Sequence, residues 1–409
     1  MVVIHLTEAV KDTCGGKAGA LGVLLRSGLP VPDGFVLPFD AYRAGMHSPS
    51  SPGHSPSLRA GAQRGVAHRQ LPTGLLDAIA RGLDALGNPL VAVRSSAVSE
   101  DTADASAAGQ HESVLAVRGL EGVADAVRAC WASLHSPRAT GYRAALGHQS
   151  PADPVVMAVL VQRLVDAEVS GVMFTPTGPH GATRIEASWG LGPSVVEGTV
   201  TPDAYWVTQD GGVTRTISDK RTRLDRDGSR LVTSEVPAVD RGRSTLDEST
   251  ITRLAQLGHE ITAVLGGPQD IEWAITDDQI WILQARSITA APPPAPAGTS
   301  SASPATLTGT PGCHGTATGT ARIIRGPGDF GRVRPGDILI CPHTDPAWTP
   351  LLRIAAGVVT ETGGVLSHAA IIARELRIPA VLGLPDATTL LRDDQPVTID
   401  GTGGTVTPG

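Results

Sequence analysis

VVTETGGVLSHAAIIARELRIPAVLG, residues 358–383, decides how the C-terminal part of the chain folds. Its β-branched start predicts a buried strand, and Gly363 and Gly364 then interrupt that pattern. Ser367 and His368 follow, and the apolar residues after them have the spacing of a helix. A histidine in the first turn of a helix faces free backbone N–H groups and the positive end of the helix dipole, which lower its basicity and accommodate a phosphoryl group. His368 is therefore a candidate nucleophile that forms a phosphohistidine.

Strands and helices alternate on either side of this segment. GDILIC (336–341) and PVTID (396–400) are typical of strands. The Pro/Ala run that passes into Gly, Ser and Thr at 289–306 cannot bury apolar area and predicts a linker. We therefore predict two folded units, at 1–288 and 307–409. Each mixes helical and β-rich runs, so the predicted class is α/β (α+β) and multidomain.

A hairpin is predicted in PQDIEWAITDDQIWILQARS, residues 268–287. Gln284 and Arg286 share one face of its second strand. A two-residue turn would place Glu272 opposite Leu283, whereas a three-residue turn would align it with Gln284 and Arg286. We predict the odd-numbered turn, because the Glu and Gln oxygens would then form a hard-cation site beside an arginine.

Two further segments offer cations to a phosphate chain. In CGGKAGALG (14–22) two glycines precede Lys17, and in LVAVRSSAVSED (90–101) a strand-like run ends at Arg94 and two serines. Guanidinium, ammonium and hydroxyl donors at such positions suit phosphate oxygens. Taken alone, the first pattern is somewhat more typical of a solvated helix start, and the second is equally typical of a surface loop.

Composition excludes several classes of function. Of the 409 residues 41% are hydrophobic and 18% charged, which excludes a disordered chain. The net charge of −7 and the 3% of aromatic residues argue against a nucleic-acid partner. The four cysteines have no C-x-x-C spacing. The chain has no long apolar run, and its N-terminus lacks the basic region of a signal peptide. We expect a cytoplasmic protein with no membrane partner.

Together these segments resemble the phosphoenolpyruvate-synthase and pyruvate-phosphate-dikinase family, which includes the rifampin phosphotransferases. TETGGVLSHAAIIARELRIPAVLG is similar to the family's phosphohistidine segment. CGGKAGALG, VAVRSSAVSED, VSGVMFT, WGLG…VEGTVTPDAYWV and PQDIEWAI are similar to its nucleotide-binding domain, in the same order. The resemblance implies an ATP-grasp nucleotide-binding domain at 1–288 and a swivelling β/β/α phosphohistidine domain at 307–409.

The resemblance also implies which residues bind ATP and Mg²⁺. The implied ATP site consists of Lys17, Arg94, Gly109, Ser113, Gln162, Glu272, Gln284 and Arg286. Within it, Gly109 and Ser113 would line the phosphate loop and Gln162 would sit at the adenine hinge. Glu272 and Gln284 would hold Mg²⁺.

The implied reaction is a dikinase-type phosphoryl transfer from ATP, which becomes AMP. His368 would attack ATP with Arg94 and Arg286 beside the phosphates, and the phosphoryl group would then pass to an acceptor. Pyruvate-using members carry a large C-terminal barrel, and antibiotic-modifying members carry an acceptor domain between the two units. We recognise neither in these residues.

Three hypotheses about the acceptor stay open. The acceptor is a small molecule, or it is a separate protein that completes a two-component phosphoenolpyruvate-synthase-like system. Alternatively the chain is a non-catalytic nucleotide-binding regulatory module. The sequence predicts no oligomeric state.

Overall fold

The computed structural model describes most of the chain. The described residues are 2–46, 65–97, 101–102, 105–106, 113–136, 139–140, 156–178, 181–288 and 306–409. We call residues 2–288 the first unit and residues 306–409 the second unit. The predicted linker, 289–306, lies almost entirely outside the described residues, so its boundaries stay a prediction.

The strands of the first unit are β1 Ile4–His5, β2 Gly34–Leu37, β3 Val91–Ala97, β4 Asp101–Thr102, β5 Ala105–Ser106, β6 Ser113–Val117, β7 Met157–Arg163, β8 Val169–Phe174, β9 Thr183–Trp189, β10 Asp203–Val207, β11 Val213–Thr216, β12 Thr222–Asp227, β13 Arg230–Glu235, β14 Gln269–Thr276 and β15 Gln279–Ser287. Those of the second unit are β16 Leu307–Thr308, β17 Thr310–Cys313, β18 Thr316–Ile323, β19 Ile338–Cys341, β20 Gly357–Thr360, β21 Ala380–Leu382, β22 Pro396–Asp400 and β23 Thr405–Pro408.

The helices are α1 Lys11–Arg26, α2 Phe39–Met46, α3 Thr73–Ala85, α4 Gly119–Ser133, α5 Pro193–Val196, α6 Ala238–Arg241, α7 Glu248–Leu265, α8 Thr349–Leu352, α9 His368–Leu376 and α10 Ala387–Leu390. Single 3-10 turns occur at Leu6–Glu8, Pro327–Arg332 and Pro346–Trp348. In the described part of the chain, no helix has the length and apolarity to cross a membrane.

Two antiparallel sheets form the framework of the first unit. One has the order β1-β2-β7-β3-β6, and the other has the order β11-β10-β9-β8-β14-β15. The β12–β13 hairpin is a separate two-stranded sheet. Helices α1, α4 and α7 pack on these sheets through apolar faces, and one large core joins both sheets. The candidate site therefore lies on a rigid double-sheet support.

The second unit is built on one eight-stranded sheet with the order β16-β23-β22-β18-β19-β20-β21-β17. Its central strands β18, β19, β20 and β21 are parallel neighbours. Helix α9 follows β20 and packs on that strand and on β21. The strand–glycine–helix order predicted for 358–383 is confirmed, and so is the α/β class.

Apolar packing continues from one unit to the other. A core cluster around Val358, Leu366 and Ala369 of the second unit also contains Phe174 and Val195 of the first unit. The two units therefore bury a shared apolar surface on the side where α9 begins.

Candidate active site

A cavity of about 540 Å³ is lined by both large sheets of the first unit and by the second unit. Eight predicted site residues line it: Lys17, Arg94, Ser113, Gln162, Glu272, Gln284, Arg286 and His368. Gly109 lies outside the described residues. The structure thus brings together segments that are separated by up to about 350 positions in the chain.

The Gly-Gly-Lys segment is held against the end of β3. Gly15 has φ 79°, a conformation that an L side chain rarely adopts, and it kinks helix α1. A Cβ at this position would lie 2.3 Å from the carbonyl oxygen of Ser96. Lys17 Nζ donates to the carbonyl of Ser95 at 3.0 Å, and the backbone N–H of Ala18 donates to Ser96 Oγ at 3.0 Å. These contacts fix the ammonium group at the cavity wall.

Arg94 extends from β3 to the β14–β15 hairpin. Its Nη1 donates to the carbonyl of Leu283 at 2.9 Å, and its Nη2 lies 3.8 Å from Glu272 Oε2. The Arg94 side chain is only 11% exposed, so water screens this contact weakly. The arginine therefore joins the two sheets across the cavity and presents positive charge beside the Glu272 carboxylate.

The β14–β15 hairpin corrects the turn that we predicted. The loop has two residues, Asp277 and Asp278, both with positive φ, so the odd-numbered turn is wrong. Aspartate tolerates this left-handed region better than most residues, which permits a tight type I′ turn. The ladder is regular only as far as Trp273 paired with Ile282, and a β-bulge then leaves Leu283 unpaired.

The bulge restores the predicted polar face. Because Leu283 is skipped, Glu272 pairs directly with Gln284, and Asp270 pairs with Arg286. Side chains of directly opposed residues share one face, with their Cβ atoms about 5 Å apart. The carboxylate and amide oxygens of Glu272 and Gln284 can therefore approach the same cation.

Asp270 is a residue that the sequence analysis missed. Arg286 donates to Asp270 Oδ2 through Nε at 2.8 Å and also places Nη2 2.7 Å from it. Burial raises the pKa of Asp270, and the guanidinium of Arg286 opposes that shift. This ion pair orients the Arg286 side chain within the cavity wall.

Gln162 and Ser113 line the cavity in different ways. Gln162 is buried on β7, and its Nε2 donates to the carbonyl of Pro32 at 3.0 Å. Ser113 opens β6, is exposed, and pairs with Arg94 in the β3–β6 ladder. Their roles at the adenine hinge and in the phosphate loop stay predictions.

His368 is the first residue of α9 and is buried, with 4% of its surface exposed. Its Nδ1 lies 2.9 Å from Thr344 Oγ1, which follows β19. Thr344 is itself buried and was missed in the sequence. The contact fixes the orientation of the imidazole ring through Nδ1. The other ring nitrogen, Nε2, belongs to a side chain that lines the cavity.

The Gly-Gly loop before His368 is docked on the first unit. The buried carboxylate of Glu186 on β9 accepts from the backbone N–H groups of Val365 at 2.9 Å and Leu366 at 3.1 Å. A Cβ on Gly364 would lie 2.2 Å from Glu186 Oε2, so only glycine permits this approach. Arg184 Nη2 lies 3.3 Å from Glu186 Oε1. Sequence analysis missed Glu186.

Further contacts hold the same loop. Thr362 Oγ1 donates to the carbonyl of Gly198 at 2.6 Å, and the N–H of Gly363 donates to the carbonyl of Val200 at 3.1 Å. Arg374 of α9 donates from Nη1 to the carbonyl of Val365 at 2.7 Å. Burial, and then the nearby charge of Arg184, lower the pKa of Arg374 to about 10. These contacts aim the start of α9 at the cavity.

Two family models match the chain. The model described as "Pyruvate phosphate dikinase, AMP/ATP-binding domain" matches residues 11–303, and "PEP-utilising enzyme, mobile domain" matches residues 333–404. The chain belongs to the pyruvate phosphate dikinase and phosphoenolpyruvate synthase family of enzymes. These matches confirm the predicted order of a nucleotide-binding domain followed by a mobile domain.

Curated relatives cover all or nearly all of the chain. A probable phosphoenolpyruvate synthase of Methanothermobacter thermautotrophicus is 37% identical over 100% of this chain and 63% of its own length. The phosphoenolpyruvate synthase of Aeropyrum pernix is 33% identical over 100% of this chain and 58% of its own. One from Neisseria meningitidis is 35% identical over 95% of this chain and 55% of its own. The chain thus spans about three-fifths of the length of these relatives.

Proposed function

We propose that the protein is an ATP-dependent phosphotransferase in which His368 receives a phosphoryl group from ATP bound in the cavity. The observation that carries the proposal is that His368, from the second unit, lines the same cavity as Lys17, Arg94 and Glu272 of the first unit. A nucleophile and the cations that hold its phosphate substrate must meet in this way for transfer to occur.

The contact of His368 with Thr344 leaves Nε2 as the nitrogen that would react. For Nε2 to act as nucleophile, Nδ1 must carry the ring proton, and Nδ1–H then donates to Thr344 Oγ1. The contact of 2.9 Å is compatible with this tautomer. The bond from Nε2 to the β-phosphorus forms while the bond from that phosphorus to the bridging oxygen on the α side breaks, so AMP leaves and His368 carries the β- and γ-phosphates as a pyrophosphoryl group. Cleavage of the β–γ bond by water or inorganic phosphate then leaves the β-phosphoryl group on Nε2.

The cationic side chains would stabilise the charge that develops on the phosphates. Lys17 and Arg94 lie on one wall of the cavity, and Arg286, oriented by Asp270, lies on another. Charged donors fixed in a buried site stabilise a transition state more strongly than donors in water.

Glu272 and Gln284 fit a magnesium ion. They are opposed on one face of the hairpin and offer one carboxylate and one amide oxygen. Magnesium sites in phosphoryl-transfer enzymes commonly take one or two protein oxygens and complete the octahedron with phosphates and water. When bound, Mg²⁺ would neutralise charge on the phosphate oxygens.

The acceptor that we propose is a small molecule, with a separate acceptor protein as the alternative. Pyruvate is the first candidate, because the curated relatives are named phosphoenolpyruvate synthases. A chain that releases phosphoenolpyruvate from pyruvate and ATP by itself would favour the first reading. Release only after a second protein is added would favour the alternative.

Nucleotide products test the transfer step. Purified protein with Mg²⁺ and ATP is expected to form AMP, and His368→Ala is expected to form none. His314→Ala is the control, because His314 is exposed in the same unit. ADP as the product, unchanged in His368→Ala, would contradict the proposal and indicate direct transfer by an ATP-grasp enzyme.

A further inference from the structure

The cavity has an apolar end in addition to its charged groups. Its apolar lining includes Leu164, Val165, Ala167, Leu191, Leu224 and Leu231. Ala167 and Leu191 are buried with Ala274 in a small cluster against which Val165 and Leu224 pack. None of the charged groups assigned to the phosphates belongs to this cluster.

Residues of strand β14 lie along the cavity from its charged end to its apolar end. Asp270, Glu272 and Ala274 alternate onto one face, and they are respectively ion-paired with Arg286, opposed to Gln284 and packed in the apolar cluster. At roughly 3.3 Å per residue, this face passes from charged to apolar over about 13 Å. A ligand with a polyphosphate at one end and a flat apolar ring at the other matches that gradient.

The β12–β13 hairpin covers the apolar end. Leu224 of β12 and Leu231 of β13 line the cavity, and β13 packs beside β6 of the five-stranded sheet. On the other side, the N–H of Leu191 donates to the carbonyl of Leu224 at 2.8 Å, which joins the hairpin to the end of β9. The hairpin therefore spans the cavity from one sheet to the other.

An ion pair fastens the hairpin over the loop that follows β7. Arg226 Nη2 pairs with Asp166 Oδ2. Arg226 is directly opposed to Leu231 in the ladder, so both lie on the same face of the hairpin. Leu231 nevertheless remains 40% exposed, which leaves apolar surface for a ligand to bury.

We propose that the β12–β13 hairpin clamps the nucleobase of bound ATP, with Leu231 and Leu224 packed on the ring. This inference rests on the proposed function, because it takes ATP as the ligand. The hairpin sets the affinity for the nucleoside part of the substrate, whereas the β14–β15 hairpin binds the phosphates.

The neighbouring residue provides a matched control. Val232 follows Leu231 on the same strand and is 37% exposed, but it faces away from Leu231 and does not line the cavity. A carboxylate introduced at either position meets a similar degree of solvent exposure. Leu231→Asp and Val232→Asp therefore differ mainly in the face of the hairpin that they change.

Comparing the binding of ATP with that of inorganic tripolyphosphate, which has no base, separates the contribution of the apolar end of the cavity from that of the charged end. Titrations with Mg²⁺ would use the His368→Ala background so that ATP is not consumed. Leu231→Asp is expected to weaken ATP binding about tenfold or more and to leave tripolyphosphate binding within about twofold. Val232→Asp is expected to change neither, and Leu231→Ala to weaken ATP binding about threefold.

The proposal is overturned if Leu231→Asp weakens both ligands equally, or if it weakens ATP binding no more than Val232→Asp does. If Leu231→Asp does not fold, the same comparison of ATP with tripolyphosphate is made with Leu231→Ala. AMP formation by the wild-type protein tests the proposed function separately. If the wild-type protein binds ATP through Leu231 but forms no AMP, the phosphohistidine route is contradicted and the nucleobase assignment stands.

Discussion

The two hairpins that border the cavity, β12–β13 and β14–β15, have the same turn length but present side chains of opposite character. The ladder of β12–β13 is unbroken from Thr222 to Asp227, and it presents leucines to the cavity. The ladder of β14–β15 loses its register at Leu283, and it presents Glu272 and Gln284. Because strand side chains alternate between faces, one skipped residue decides which of them reach the site.

The turns themselves differ in a way that matches the two sequences. Asp277 and Asp278 both have positive φ, the pattern of a type I′ turn. In the other hairpin only Gly228 has positive φ among the two turn residues, the pattern of type II′. Both types suit the right-handed twist of a hairpin, so turn length alone does not predict which face is polar.

The largest effect is expected from the polar hairpin. Glu272→Ala removes the proposed cation ligand and the acidic neighbour of Arg94, and should lower the rate of AMP formation by about 100-fold or more. Rapid-quench assays at saturating ATP measure this rate. Gln279→Ala, exposed on the same hairpin, is the control and should retain the wild-type rate. A loss below about threefold in Glu272→Ala would contradict the assignment.

A smaller effect is expected from the apolar hairpin. Arg226→Ala removes the ion pair that attaches this hairpin to Asp166. The substitution should raise KM for ATP about threefold while kcat stays constant. Arg230→Ala, exposed at the other side of the same turn, should match wild type in steady-state assays. A fall in kcat with constant KM would mean that this hairpin acts in the chemical step. That result would contradict the assignment of different roles to the two hairpins.

The smallest effect concerns the turn of the polar hairpin. Asp278→Gly places the residue best suited to positive φ at a position with φ 59°. The free energy of unfolding should rise by about 0.5 kcal/mol, and AMP formation should not change. Urea denaturation followed by fluorescence measures the first, and a lower unfolding midpoint would contradict the turn assignment.

The sequence predicted most of the architecture because its motifs are local. The strand, glycine pair and helix of 358–383 follow from residues that are adjacent in the chain. The polar face of β14–β15 was predicted with the wrong turn, since nothing in QIWILQARS distinguishes a bulged residue from a paired one. Only the three-dimensional ladder reveals that Leu283 is skipped.

The residues that were missed are single polar side chains in unremarkable surroundings. Glu186 lies in the strand RIEASW, and Thr344 lies in a loop, 24 positions before His368. Their importance comes from contacts between distant segments, which no local pattern encodes. Arg184 and Glu186, two residues apart on one face of a strand, are the one signal that could have drawn attention to Glu186.

Mapping the phosphoryl group on the protein tests the central claim most directly. Wild-type protein would be quenched at high pH after brief reaction with Mg²⁺ and ATP labelled at the β-phosphate, then digested and analysed by tandem mass spectrometry. We predict label on His368 alone, and none in His368→Ala or Glu272→Ala. Label on another residue, or AMP formed with no labelled peptide at any time, would contradict the account.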